Sequence, residues 1–415
     1  MELSSAELRL GTPEAAIDQL IAATELIRDP DRLTAATRLL GGALTWSGNA
    51  DSAVEALGSA IGIVEPVDRE LTLLLDADRA AYAQQASLEA RTPVVAQLER
   101  HGELDGATPG ERLVVASLAF ERARASESEP EAAAFIERAL ADDRLLGEQA
   151  VDVAGTHYLL LVGLLATDAL DLAESCAERM LADASARASI PAQAFVMVHR
   201  GWVSFRRGAM APAEADARTA LELLTTYDIS LGTRFALALL IEALIEAGEL
   251  EAAERALRST DLGEEIPPGL AHNDLLRARG VLHIAQGRMG EGLDDVIEYG
   301  RRDELWGAAN PLASRWRSRA SLALAATGDE EEARRMAADD LERARRWGAA
   351  TGIGIALRAT ALVEGDQASV DRLREAVDVL EGSPARLEHA RSLTDLGATL
   401  RRANRRAEAR RPLQE

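Results

Sequence analysis

The sequence predicts an all-α solenoid, a single stack of about eleven helix-turn-helix hairpins with a period near 40 residues, spanning residues 1–415. Three observations predict it: a composition of small and aliphatic helix formers, glycines that recur at one spacing, and small residues in phase with those glycines. Apolar residues make up 47% of the chain and aromatics only 3%, so the core is built from Ala, Leu, Val and Ile. Ala, Leu, Glu and Arg dominate, and all favour helix. A chain of 415 residues exceeds what one compact core supports, whereas a solenoid grows by packing each repeat on its neighbours.

The elements follow from the turns. Gly11, before Thr12 and Pro13, marks the first, and Gly48 the next clear one. Weaker turns are expected around Ser87, Glu127 and Thr167. Gly208, Gly248, Gly287, Gly328 and Gly365 then recur at separations of 40, 39, 41 and 37 residues, and Asn404 takes the place of glycine after a further 39. Seven residues before these turns stand Gly41, Gly201, Gly280, Ser321 and Gly397. Five residues after them stand Ala53, Ala213, Ala253, Gly292, Ala333 and Ala409. Antiparallel helices need small side chains at such positions for their axes to approach to about 8–10 Å. Pro191, Pro311 and Pro384 are expected in the first turns of first helices, with Ser383 as an N-cap. The chain stops at Pro412–Glu415, inside the second helix of the last hairpin, so the last repeat reads as truncated and the chain as an excised fragment.

This pattern resembles the tetratricopeptide repeat with lengthened helices, which implies a right-handed superhelix. Two stretches carry a second resemblance. Asn310-Pro311 with Trp316-Arg317-Ser318, and the run from Ser383 to Arg411, are similar to the helical repeat region of large ATP-binding LuxR-family (MalT-like) transcriptional regulators. The resemblance implies a non-catalytic sensor or relay region. Its partners would be its own N-terminal NTPase, where ATP would bind, and a C-terminal helix-turn-helix DNA-binding domain. Both are expected outside this chain. The sequence contains no lysine, so no Walker A loop and no Schiff-base chemistry can reside here. The alternative is a stand-alone scaffold that docks a peptide or protein.

Charge and chemistry narrow the classes further. A formal net charge of -23 repels nucleic acid and anionic membrane, so direct nucleic-acid binding is not expected. The end from Arg391 to Glu415 reverses this, with seven arginines against three acids. It reads either as a solvated helix face or as a surface abutting an anionic partner. A single cysteine, Cys176, forms no internal disulfide, and an acidic N-terminal stretch does not read as a secretory signal, which fits a cytoplasmic protein. The longest apolar run, Tyr158 to Ala166, is too short to span a membrane. The six histidines show no metal-ligand spacing, and no nucleophile or paired-acid motif occurs, so neither a metal site nor catalysis is expected.

Binding is better motivated. Counting back from each turn places Arg38, His157, Phe195, Trp202, Phe205, Phe235, Glu242, Asp274, Arg277, Arg315 and Ser318 on the concave face of first helices. Three of the five Phe and one of the five Trp fall between Phe195 and Phe235. The candidate contacts to a small-molecule or peptide effector are Phe195, Trp202, Phe205, Phe235, His157 and Glu242, with Arg206 and Arg277 as anion clamps. The same residues also suit packing between helices. Trp316, with Arg317 beside it, reads foremost as a wedge between two repeats.

Overall fold

The computed structural model describes residues 13–125, 128–140, 144–148, 155–227, 229–259, 266–365 and 368–414. Among them there are 22 α-helices, one 3₁₀ turn (Glu99–His101) and no strand. A leading helix, α1 (Pro13–Leu26), is followed by ten antiparallel hairpins. They pair α2 (Pro30–Trp46) with α3 (Ala50–Val64), α4 (Arg69–Ala83) with α5 (Leu88–Leu98), and α6 (Pro109–Ala125) with α7 (Glu129–Leu140). After the short α8 (Arg144–Glu148) come α9 (Thr156–Ala166) with α10 (Leu170–Ala186), α11 (Ile190–Arg206) with α12 (Met210–Thr226), and α13 (Ser230–Glu246) with α14 (Leu250–Arg258). The last four pairs are α15 (Leu270–Ala285) with α16 (Met289–Leu305), α17 (Trp316–Thr327) with α18 (Glu330–Trp347), α19 (Ala350–Glu364) with α20 (Ala368–Glu381), and α21 (Arg386–Arg402) with α22 (Arg406–Gln414).

The turns explain the spacing of the glycines. At Gly208 the chain takes φ +79°, the Gly208 N–H donates to Phe205 O at 3.0 Å, and the next N–H donates to Ser204 O at 2.9 Å. This closure satisfies the last carbonyls of the helix and requires a left-handed residue, which glycine supplies without a Cβ clash. Gly48, Gly248 and Gly287 repeat it, and Asn404 does so at φ +60°. The turn expected around Thr167 is made by Asp168, left-handed at φ +62°. Ser87 instead caps α5, its hydroxyl accepting from Ala90 N at 3.3 Å. Gly11, Thr12 and Glu127 lie outside the described residues.

Pro191 sits in the first turn of α11 as the sequence predicts. Pro311 and Pro384 do not start helices. Each stands in the preceding loop, and Ala385 rather than Ser383 occupies the N-cap of α21. The Ser383 hydroxyl instead accepts from the Ala385 N–H at 3.1 Å, folding the loop that delivers the helix.

The small residues sit where neighbouring helices meet. A Cβ on Gly201 would come within 2.5 Å of Leu239 Cδ2 and 3.4 Å of Ala213 O. One on Gly292 would stand 2.8 Å from Gly280 O. Ala53, Ala213, Ala253 and Ala333 are fully buried at the corresponding positions of second helices. The core is a succession of clusters, mostly of Ala, Leu and Val, between the helix layers.

The superhelix is wound tightly enough for the chain to touch itself one turn later. Asn310 Nδ2 donates to Ala123 O at 2.7 Å and Ala166 O at 3.0 Å, the C-terminal carbonyls of α6 and α9. Its Oδ1 accepts from Leu312 N at 2.8 Å. Arg124 pairs with Asp303 at 2.6 Å, Ala271 N donates to Gln85, and Thr351 Oγ1 donates to Asp168 at 2.6 Å. These inter-turn contacts join residues 144 to 187 positions apart, so the chain meets itself after about four to five hairpins.

Two tests address this architecture. Gly201→Val drives a branched side chain into Leu239 and is expected to cost about 3 kcal/mol. Gly248→Ala, with open space around it, pays only left-handed strain of about 1 kcal/mol. Urea unfolding midpoints should rank the two in that order. Asn310→Ala removes both caps between superhelical turns, so the unfolding midpoint should fall by the equivalent of about 2 kcal/mol. The radius of gyration measured by small-angle scattering should rise.

Candidate ligand cavity on the inner face

First helices line the superhelix axis, where they enclose a cavity of about 210 Å³. Its walls come from residues as far apart as Thr45 and Arg319, so several successive hairpins contribute to one space. The apolar wall is an aromatic ladder. Trp46, Tyr82, Phe120, Tyr158, Phe195 and Phe235 all face the cavity, and each follows the last by 36 to 40 residues, one repeat. Tyr158 and Phe195 lie 5.2 Å apart between ring centroids, and Phe195 meets Phe235 edge-on at 6.2 Å. Trp202 stands about two helical turns beyond Phe195, with Phe205 edge-on behind it at 5.4 Å and the Arg277 guanidinium over its face at 4.9 Å.

The polar wall lies toward the later repeats. Glu242 is buried at 2% exposure, paired with Arg277 and, at 3.0 Å, with Arg319. Glu388 pairs with Arg315 at 3.3 Å and with Arg391 at 2.7 Å. Burial alone would raise the Glu388 pKa, but Arg391 and Arg315 outweigh it and hold it down to about 2. Arg391 also reaches Glu246, so the first arginine of the basic C-terminal end is turned inward to these acids. Asp274 faces the cavity 3.3 Å from Arg277. Burial, with Asp303 repelling it, raises its pKa to about 7. His199 is pushed down by burial, and its Nδ1 hydrogen-bonds Phe195 O at 2.7 Å.

The candidates named from sequence divide on this geometry. Phe195, Trp202, Arg206, Phe235 and Arg277 line the cavity together, and so do Asp274 and Arg315. Phe205, Glu242 and His157 do not line it. Phe205 and His157 are buried in the helix layers, and Glu242 lies beneath its two arginines. Arg38 is likewise engaged, 2.7 Å from Asp78. The motif residues act as joints. Asn310 and Pro311 are buried in the contact between superhelical turns. Trp316 lies flat on Gly300, where a Cβ would overlap its ring. Arg317 pairs with Glu304 and, at 3.2 Å, with Asp339, while Ser318 donates to Asp340. Sequence counting missed Trp46, Tyr82, Phe120, Tyr158 and Asn273. Following aromatics at the repeat interval from Phe235 back toward the N-terminus finds the first four.

No protein-family pattern matches this sequence, and no curated protein matches it at a significant level. The fold does have counterparts among solved structures. A Rap protein complexed with Competence and Sporulation Factor superposes with a TM-score of 0.60 over 93% of this chain and 96% of its own, at 12% identity. The Cut9-Hcn1 hetero-tetramer of the APC/C matches with a TM-score of 0.52 over 89% of this chain and 70% of its own, also at 12% identity. The chain therefore has the fold of TPR-like helical repeat proteins. Among the described residues, no group of His, Cys, Asp and Glu could hold a metal ion, and no helix is long and apolar enough to cross a membrane.

Asp274 gives the cavity a pH signature. Between its ordinary value of 3.8 and about 7, the folded chain keeps a proton that the unfolded chain releases, so stability falls as pH rises through that window. Asp274→Asn removes this loss. Its urea midpoint should exceed that of the unaltered chain at pH 8 and draw level with it near pH 4.

Proposed function

We propose that this chain is an effector-binding relay module, in which a small molecule or short peptide held in the axial cavity sets how tightly the superhelix is wound. One observation carries the reading: the cavity takes its walls from hairpins throughout the first three-quarters of the chain. A ligand there contacts Trp46 and Arg319 regions at once, so its affinity differs between a tight and a loosened superhelix. Differential affinity of that kind is what shifts a conformational equilibrium. The likeness to a Rap protein that carries a bound Competence and Sporulation Factor supports an effector site in such a fold.

The finer reading is that the module relays occupancy to flanking domains in a LuxR-type (MalT-like) regulator, an NTPase before it and a DNA-binding domain after it. The stretches at Asn310–Ser318 and Ser383–Arg411 support it, because both lie where superhelical turns meet: Asn310 caps α6 and α9, and Ser383 adjoins the Thr351–Asp168 contact. In this reading the chain has no reaction of its own, and any nucleotide binds elsewhere in the parent protein. A scaffold that docks a protein on its outer surface is the second reading, favoured by the likeness to Cut9-Hcn1, which is itself part of a hetero-tetramer.

The test is binding of a synthetic hexapeptide mixture to the chain, followed by gel filtration and mass spectrometry of what stays bound. Trp202→Ala and Phe235→Ala together should lower retention about tenfold or more through lost aromatic contact. Bound peptide should also reduce the radius of gyration. Retention unchanged in the double variant rejects the cavity as the effector site and leaves the outer surface.

A further inference from the structure

The charge on the cavity wall narrows the chemistry of the effector, an inference that rests on the cavity being the effector site. Arg206 closes α11, is 8% exposed, and lines the cavity. It donates to Leu165 O. No carboxylate among the described residues lies within ion-pair distance of it. Its neighbours differ: Arg277 and Arg319 share Glu242, Arg315 and Arg391 share Glu388, and Arg124 holds Asp303. Arg206 is the cation left over, in a chain whose formal charge is -23.

A guanidinium withdrawn from water with only a carbonyl against it is unfavourable. Burial lowers its pKa to about 9, with Arg315 and Arg277 adding repulsion that the more distant Asp168 and Glu388 only partly offset. A second group lining the cavity is unmatched as well: Asn273, 2% exposed, has its Oδ1 buried with no hydrogen-bond partner. The aromatic ladder lines the same cavity, with Phe195 and Trp202 on the helix that Arg206 closes.

We propose that the cavity takes a monoanionic carboxylate on an apolar or aromatic body, with the carboxylate against Arg206 and the body against Trp202, Phe195 and Phe235. The unmatched cation calls for one negative charge. The planar guanidinium suits the two oxygens of a carboxylate, and removal from water strengthens the contact. Asn273 Oδ1 would accept from an N–H or O–H of the ligand. Two sources carry this chemistry: the C-terminus of a short peptide and a free aromatic acid.

The experiment uses the whole chain and matched probes. Synthetic tetrapeptides ending in phenylalanine are offered as free acids and as C-terminal amides, and phenylacetate and indole-3-acetate are offered separately, with binding followed by calorimetry. Free acids should bind about tenfold or more tighter than amides, and Arg206→Met should erase that preference. Loss of the bond to Leu165 O in Arg206→Met could loosen α9, so circular dichroism and the urea midpoint are recorded alongside. Asn273→Asp provides an independent arm: it leaves Arg206 in place and adds negative charge to the wall, so it should weaken acids more than amides. Binding of the tetrapeptide acids alone assigns the carboxylate to a peptide terminus, and binding of the two aromatic acids alone assigns it to a small metabolite-sized acid. Amides that bind as tightly as acids, with both lost in Trp202→Ala, would sink the carboxylate while leaving the cavity as the effector site. No binding of any probe overturns both.

Discussion

The close approach of paired helices governs everything else in this molecule. Gly201 against Leu239 and Ala213, and Gly280 against Gly292, let helix axes come together where a larger side chain would hold them apart. That spacing sets the small rotation from one hairpin to the next. Summed over four to five hairpins, the rotation brings α6 and α9 against the loop at Asn310. The cavity is what remains on the axis once those surfaces have met. Its volume is therefore set by Ala and Gly in the helix layers as much as by the aromatics on its wall.

Much of the fold was legible in the sequence, and the reason is physical. A helix that must reverse through a left-handed residue leaves a glycine as a visible mark, and Gly48, Gly208, Gly248 and Gly287 all show it. Where another residue takes that conformation, as Asp168 and Ala188 do, the mark disappears. Position counting along a helix gives an angle around the axis but no depth. It therefore put Glu242 and His157 on the open face, although both are buried, Glu242 under a layer of arginine. The aromatic ladder obeyed the repeat interval throughout, yet its N-terminal members fall at shifted positions relative to their turns, Trp46 at the end of α2 and Phe235 near the start of α13. The contacts between superhelical turns were not legible at all, since they depend on rotations accumulated across some 180 residues.

Charge is distributed in the opposite sense inside and outside. The exterior is acidic, which keeps chains apart. The interior is arginine-rich, with Glu242 and Glu388 each shared by two arginines and Glu246 joined to Arg391 from a distant hairpin. Such shared pairs are largely withdrawn from water, and they fix the relative placement of helices that the apolar seam alone leaves free to slide. Arginine suits this role better than lysine because its planar fork bonds two partners at once. The whole chain uses arginine as its basic residue.

Contacts such as Asn310 to Ala123 also alter how the chain reaches its folded state. An open repeat array behaves as a one-dimensional lattice, in which folding spreads from any hairpin and each unit feels only the next. Here the two superhelical turns are pinned to each other, so early hairpins complete their bonding only after much later ones are in place. Contact order rises accordingly, which slows the final step of folding and makes the array lose structure as one body rather than hairpin by hairpin.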